Sequence, residues 1–231
     1  MHPILLLHGA IGSSDQLRPL KNKLASDFQI IEFNFPGHGG GALPNEGFTI
    51  PLFAQSVLEF LKEQNLDKVH IVGYSMGGYV GAYLARHYPE RVARLATLAT
   101  KFFWDSATSA KEIKMLDAEK IREKLPHFAE ALANRHAPTD WKQVLEYTAS
   151  MLHGMGENNP LKPEDLKEIQ NEVLLLLGDR DRMVTLEETV ATYQSLPHGQ
   201  MGILPATPHP VEQVNLDAWA FLVAQFLGKS I

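Results

Sequence analysis

Cysteine is absent from the 231-residue chain. That single absence excludes a disulfide framework, a cysteine nucleophile and any thiolate metal site. There is no block of basic residues, and the formal net charge is -6, so a nucleic-acid-binding surface is not expected. No apolar run approaches the length that spans a bilayer. Met1-His2-Pro3 and the short run to His8-Gly9 carry no cationic leader and no small-residue cleavage site, so the reading is a soluble, cytoplasmic protein without a membrane partner. Internal repeats, low-complexity tracts and the HxH or HExxH spacings of metal ligands are also missing. What remains is ordinary for a globular fold: 45% hydrophobic and 21% charged residues, enough for one domain with a sizeable core and an inserted subdomain.

The apolar runs are short and continuous rather than alternating, as parallel strands covered on both faces require. They are Ile4–Leu7, Gln29–Phe33, Val69–Val72, Leu95–Leu98, Val173–Leu177 and Met201–Leu204. Helical patterns separate them at Gln16–Ala25, Pro51–Gln64, Met76–His87, Leu186–Ser195 and Val211–Leu227. This alternation predicts a doubly wound α/β sheet of six parallel strands, with its site at the carboxyl ends of the strands. The alternation fails once, between Phe103 and Ile169. Ala110–Leu125 reads as an amphipathic helix carrying Ile113, Met115, Leu116, Ile121 and Leu125, and Thr139-Asp140 caps a second with Trp141, Val144, Leu145 and Tyr147. Pro163 starts a short third helix. A crossover this long exceeds the needs of a βαβ unit, so residues 103–169 are expected to form a helical cap over a core made of 1–102 and 170–231.

Gly73-Tyr74-Ser75-Met76-Gly77 lies between the third strand and a small-residue helix. In that context G-x-S-x-G is a nucleophile elbow: a serine on a sharp strand-to-helix turn, with glycines relieving the crowding. A serine needs a base and a group to orient that base. The loops after two later strands supply both, Gly178-Asp179-Arg180-Asp181 and Pro208-His209-Pro210, in the order Ser, Asp, His.

These segments make the chain similar to the α/β-hydrolase superfamily nearly from end to end. His8-Gly9-Ala10-Ile11-Gly12 resembles the family's HGxxG segment, and Phe35-Pro36-Gly37-His38-Gly39 its D-x-P-G-H-G turn, with Asn34 where aspartate is usual. Gly178–Val184 resembles its G-D-x-D-x-x-V acid loop, whose second aspartate serves the triad. The resemblance implies Ser75 as nucleophile, His209 as base and Asp181 as its orienting acid, with the backbone N–H groups of Ala10 and Met76 as oxyanion hole. Ile11 and Trp104 are candidate substrate contacts, although plain packing serves Trp104 equally well. His8 and His38 are expected to make structural hydrogen bonds, and His70, His87, His127, His136, His153 and His198 to be surface or satisfied core residues. Because the chain starts almost at the HG-bearing strand, the family's usual first β-hairpin is expected to be missing.

A serine at the elbow sets the chain apart from the dehalogenase and epoxide hydrolase branches, which use aspartate there. The implied activity is hydrolysis of a small carboxylic ester, a small acyl compound being the expected partner, with no metal or organic cofactor. The alternatives are a thioesterase, a C–C bond hydrolase, a menaquinone-pathway-like lyase and a ligand-sensing module. Those lyases usually carry arginine four residues after the serine, where this chain has Tyr79.

Overall fold

The structure is a computed structural model that describes residues 2–228; positions 1 and 229–231 of the expected core lie outside the described residues. Its six strands are β1 (Ile4–Leu7), β2 (Ile30–Phe33), β3 (Val69–Tyr74), β4 (Val92–Leu98), β5 (Glu172–Gly178) and β6 (Gly199–Leu204). All pair in parallel, in the order β2-β1-β3-β4-β5-β6, as the continuous apolar runs predict. No strand precedes β1 among the described residues.

Alternate residues along each strand enter different cores, which is why the runs are apolar without a break. Leu5, Leu7, Ile71, Leu95, Val173 and Leu175 face a core shared with α2 (Ile50–Glu63) and α3 (Met76–His87). Ile4, Leu6, Val72, Ala96, Leu98, Leu174 and Leu176 face the other side, against α1 (Arg18–Leu24) and α10 (Leu216–Leu227). Because every strand runs in parallel, the loops that follow them share one edge, and the strand order reverses between β1 and β3, where the loops diverge. The register pairs Leu7 with Gly73, Tyr74 with Leu98, Leu98 with Leu176 and Gly178 with Leu204. The ends of β1, β3 and β4 are thereby level to within one residue, β5 and β6 run two residues further, and the loops after them meet.

Differences from the sequence expectation have local causes. β4 begins at Val92 rather than Leu95, because the intervening Arg94 breaks the apolar run while its guanidinium pairs with Glu172 on β5 and donates to the Phe226 carbonyl. α10 begins at Leu216 rather than Val211: Asn215 accepts from the Ala218 N–H and starts the helix there, leaving Val211–Gln213 as a separate 3-10 turn. The segment between β4 and β5 contains α4 (Ser106–Ile113), α5 (Ala118–Lys124), α6 (Pro126–His136), α7 (Trp141–Glu157) and α8 (Pro163–Leu166). The single helix expected over Ala110–Leu125 is thus two. Asp117 divides them, its carboxylate accepting the Lys120 N–H as an N-cap. Ile121, Ala129, Leu132 and Leu145 form a small core of their own within this segment, whereas Val144, Met151, Leu152 and Met155 on α7 join the core beside α3.

Candidate active site

Ser75 sits between β3 and α3 with φ 51° and ψ -118°, a backbone that L-residues avoid. The turn can form because two neighbours lack a side chain. A Cβ at Gly73 would strike the backbone of Gly77 and Gly78, and one at Gly77 would strike the carbonyls of Leu7, the last residue of β1, and of His8 after it. The strained turn is tied down from several directions. The Ser75 N–H donates to the Leu98 carbonyl at 2.8 Å, and its carbonyl accepts from the Thr100 hydroxyl (3.0 Å) and the Gly78 and Tyr79 N–H groups. Met76 opens α3, so its N–H has no acceptor within the helix and adds to the positive end of the helix dipole.

The β5 and β6 loops bring Asp181 and His209 together. Asp181 Oδ2 accepts from His209 Nδ1 at 2.8 Å, a bond that fixes the proton on Nδ1 and leaves Nε2 as the basic nitrogen. The other carboxylate oxygen accepts the Met183 and Val184 N–H groups at 2.8 and 2.9 Å. Burial alone would raise the Asp181 pKa, since its side chain is fully enclosed; the imidazole beside it and the two N–H donors outweigh that and hold it below the ordinary value. Asp179, the other aspartate of the loop, points elsewhere and accepts the Thr207 N–H at 3.0 Å, bracing the histidine loop. Tyr74, the residue before the serine, donates its hydroxyl to the His209 carbonyl at 2.9 Å.

The loop after β1 carries Ala10 and Ile11, and Ile11 has φ 52°. Its carbonyl accepts from Arg135 Nη1 and His136 Nε2, both at 3.0 Å and both at the end of α6. His136 Nδ1 in turn accepts the Gly39 N–H. Beneath this loop His8 donates from Nδ1 to the Gly9 carbonyl and accepts the Phe35 N–H at Nε2, while His38 donates to the Pro36 carbonyl. Burial pushes His8 down to about 4, and lowers His38 and His136 as well, so the three imidazoles are neutral hydrogen-bonding struts. Asn34 accepts the Ser14 N–H at 2.7 Å and so performs, as an amide, a task open to a carboxylate at that position.

The loops after β1, β3, β4, β5 and β6 border one cavity of about 580 Å³. Ser75, His209, Ala10, Met76, Ile11 and Trp104 line it; Asp181 stands behind His209. The far side is built by α4 to α7, through Glu112, Ile121, Phe128, Met151 and Met155 among others. The lining is largely apolar. No group of three or more His, Asp or Glu side chains that could hold a metal ion occurs among the described residues.

The family described as alpha/beta hydrolase fold matches residues 2–143. The chain belongs to that family. Among curated relatives, the dihydrolipoyllysine-residue acetyltransferase component of the acetoin cleaving system of Cupriavidus necator is 28% identical over 195 residues, covering 78% of this chain and 52% of that one. The chain therefore spans about half the length of that relative. The poly(3-hydroxyalkanoate) depolymerase of Ectopseudomonas oleovorans is 24% identical over 243 residues, covering 98% of this chain and 84% of that one. In structure, a thermophilic esterase from Thermogutta terrifontis superposes with a TM-score of 0.79 at 22% identity, over 98% of this chain and 89% of the other. The fold of this α/β hydrolase is thus shared over its whole described length.

Sequence reasoning missed several residues that border this cavity or hold its loops. Tyr74 was hidden inside the G-x-S-x-G pattern, yet it braces His209. Arg135 and His136 reach the Ile11 carbonyl across 124 and 125 positions, and no local pattern marks such a contact. Met115 and Leu125, expected on the buried face of a helix, are 50% and 56% exposed and stand beside the cavity. Five of the seven methionines, Met76, Met115, Met151, Met155 and Met183, line it too. Their clustering is a tertiary feature, since they come from four separate parts of the chain.

Proposed function

We propose that this α/β hydrolase cleaves small carboxylic esters through an acyl-enzyme formed on Ser75, with His209 and Asp181 completing the triad. The observation that carries the reading is the 2.8 Å Asp181–His209 bond, which leaves Nε2 free on the wall of the cavity that Ser75 also lines. Ser75 attacks the ester carbonyl as His209 Nε2 takes the hydroxyl proton. Asp181 keeps the imidazole in the required tautomer and stabilises the imidazolium. The oxyanion settles between the Met76 N–H, at the positive end of α3, and the Ala10 N–H on the β1 loop; one such donor contributes about 3–4 kcal/mol to the transition state. His209 returns its proton to the departing alcohol. Water, activated by the same imidazole, then releases the acid and restores Ser75.

Residues 103–169 act in this reading as a cap, since their helices form the cavity wall opposite the strand ends. An apolar, methionine-lined cavity suits an aliphatic chain, because thioether side chains adapt their shape to what they enclose. The depolymerase relative takes its name from a polyester, which supports ester chemistry. A carboxylate-holding lyase finds less support. Tyr79 occupies the fourth position after Ser75, and its hydroxyl is committed to Asn159 and to the Leu161 N–H.

The test is turnover of p-nitrophenyl esters of increasing acyl length, beside thioesters and a C–C cleavage substrate, by the native protein and by Ser75→Ala. Ester turnover abolished by Ser75→Ala supports the proposal. Undiminished turnover by that variant, or cleavage confined to the C–C substrate, contradicts it.

A further inference from the structure

Glu112, on α4, is 4% exposed and lines the cavity, and its Oε2 atom is buried without a hydrogen-bond partner. A carboxylate oxygen in that condition is costly, and native structures rarely leave one unpaired without a use for it. The nearest cation does not satisfy it. Lys101 Nζ stands 3.9 Å from the other oxygen, Oε1, too far for a hydrogen bond, and is drawn instead toward Glu188 Oε2 at 3.4 Å. Glu188 is occupied in turn by the Phe103 N–H.

Several polar groups on the cavity wall have protein partners within the fold. The Thr148 hydroxyl donates to the Val144 carbonyl, Tyr79 bonds Asn159 and Leu161, and Tyr74 donates to His209. Glu112, with Lys101 beside it, is a buried carboxylate left partly unpaired on a largely apolar wall that also carries Lys114, Asp117, Lys120 and Lys124. The spot is connected to the elbow: Thr100, the residue before Lys101, donates its hydroxyl to the Ser75 carbonyl.

We propose that Glu112 and Lys101 form a subsite for a hydroxyl group on the substrate chain, distal to the scissile carbonyl. The inference rests on the ester-hydrolase reading above and deepens it. Glu112 and Lys101 choose the group between them, Glu188 being held by Lys101 and the Phe103 N–H. A ligand ammonium would satisfy Glu112 but meet Lys101, and a ligand carboxylate would accept from Lys101 but meet Glu112. A neutral group that donates to the Glu112 carboxylate and accepts from Lys101 Nζ is complementary to both, and a hydroxyl does this with one atom. The preferred substrates are then hydroxylated aliphatic esters rather than plain alkyl, amino or carboxy esters.

The experiment measures kcat/KM for matched pairs of esters that differ only by a hydroxyl. One series carries it along the acyl chain of p-nitrophenyl esters, the other along the alcohol chain of acetate esters, with terminal amino, carboxy and carbamoyl versions as comparisons. At one chain length in one series, the hydroxylated ester should exceed its plain partner about tenfold, the worth of a hydrogen bond to a charged group. In Glu112→Leu that ratio should fall to about one, whatever the variant does to plain esters. No preference at any length in either series, or a ratio that survives Glu112→Leu, overturns the subsite. So does a stronger preference for the amino, carboxy or carbamoyl version. The native comparison needs no variant, so misfolding of Glu112→Leu would not protect the proposal. Plain esters turned over in a Ser75-dependent way with no hydroxyl preference would sink the subsite and leave the hydrolase reading standing.

Discussion

Tyr74 and His209 are fastened to each other at the carboxyl edge of the sheet: the phenol donates to the His209 carbonyl at 2.9 Å, and the two ring centroids are 5.6 Å apart. Burial, aided by the carboxylates of Glu212 and Asp181, pushes the Tyr74 pKa up, so the hydroxyl stays a donor at any pH the protein meets. The residue that precedes Ser75 thus holds the loop that carries His209. Tyr74→Phe deletes the bond while keeping the ring. The expected result is a fall in kcat of about fivefold with little change in KM, matching one hydrogen bond of about 1 kcal/mol. Steady-state kinetics on a short ester would decide it; an unchanged kcat would show that the latch has no part in positioning His209.

The two aspartates of the β5 loop separate cleanly by partner. Asp181→Asn keeps an oxygen for Met183 and Val184 but turns an amide N–H₂ or a weaker acceptor toward His209 Nδ1. In a serine protease the equivalent change lowers kcat about 10⁴-fold by favouring the wrong tautomer. The same order of loss is expected here. Asp179→Asn preserves an acceptor for the Thr207 N–H and should stay within about threefold of native activity. Equal losses in the two variants would contradict the assignment of the acid.

Acid should unfold this protein earlier than its carboxylates alone require. Burial lowers His8 and His70 to about 4 and holds His38 well below its ordinary value. Each imidazole is neutral in the folded protein at pH values where it is charged in the unfolded chain. The unfolded state therefore binds more protons below the ordinary histidine value of 6.5, and stability falls as pH drops from there toward 4. His8 alone contributes a loss of about 2 kcal/mol between about pH 7 and about pH 4.5. Asp181 adds to the loss only at lower pH, because its folded pKa is depressed. Urea titrations at the two pH values provide the check, and equal midpoints would refute the buried neutral histidines.

Two glycines should respond to alanine in opposite ways. A Cβ at Gly77 has no room beside the Leu7 carbonyl, so Gly77→Ala is expected to cost about 3 kcal/mol and to displace the elbow. Gly154 lies inside α7 with nothing within 4 Å of the added atom, so Gly154→Ala should stabilise by up to about 1 kcal/mol. Thermal melts of both variants test whether close approach, rather than glycine content as such, makes the elbow.

Much of this was legible in the sequence, and the reason is that the core obeys local rules. Runs such as Ile4–Leu7 and Val173–Leu177 announce buried parallel strands because both faces are covered, and the six-strand parallel sheet follows. Ser75, Asp181 and His209 could be singled out as candidates because each follows a strand in a recognisable loop. The segment between β4 and β5 was read less well. An amphipathic pattern shows that Ile113 to Leu125 contains helix, but not that Asp117 would cap a new one, nor that Met115 and Leu125 would face a cavity instead of a core. Contacts such as Arg135 with Ile11, or Lys101 with Glu112 and Glu188, depend on how distant elements pack and leave no periodic trace.

The central claim is that Ser75 is an activated nucleophile, and covalent labelling tests it most directly. The protein treated with a fluorophosphonate should gain one adduct by intact mass, located on the peptide that contains Ser75. The adduct should disappear in Ser75→Ala and form far more slowly in His209→Ala. An adduct on any other residue, or labelling of Ser75→Ala at the native rate, would contradict the account.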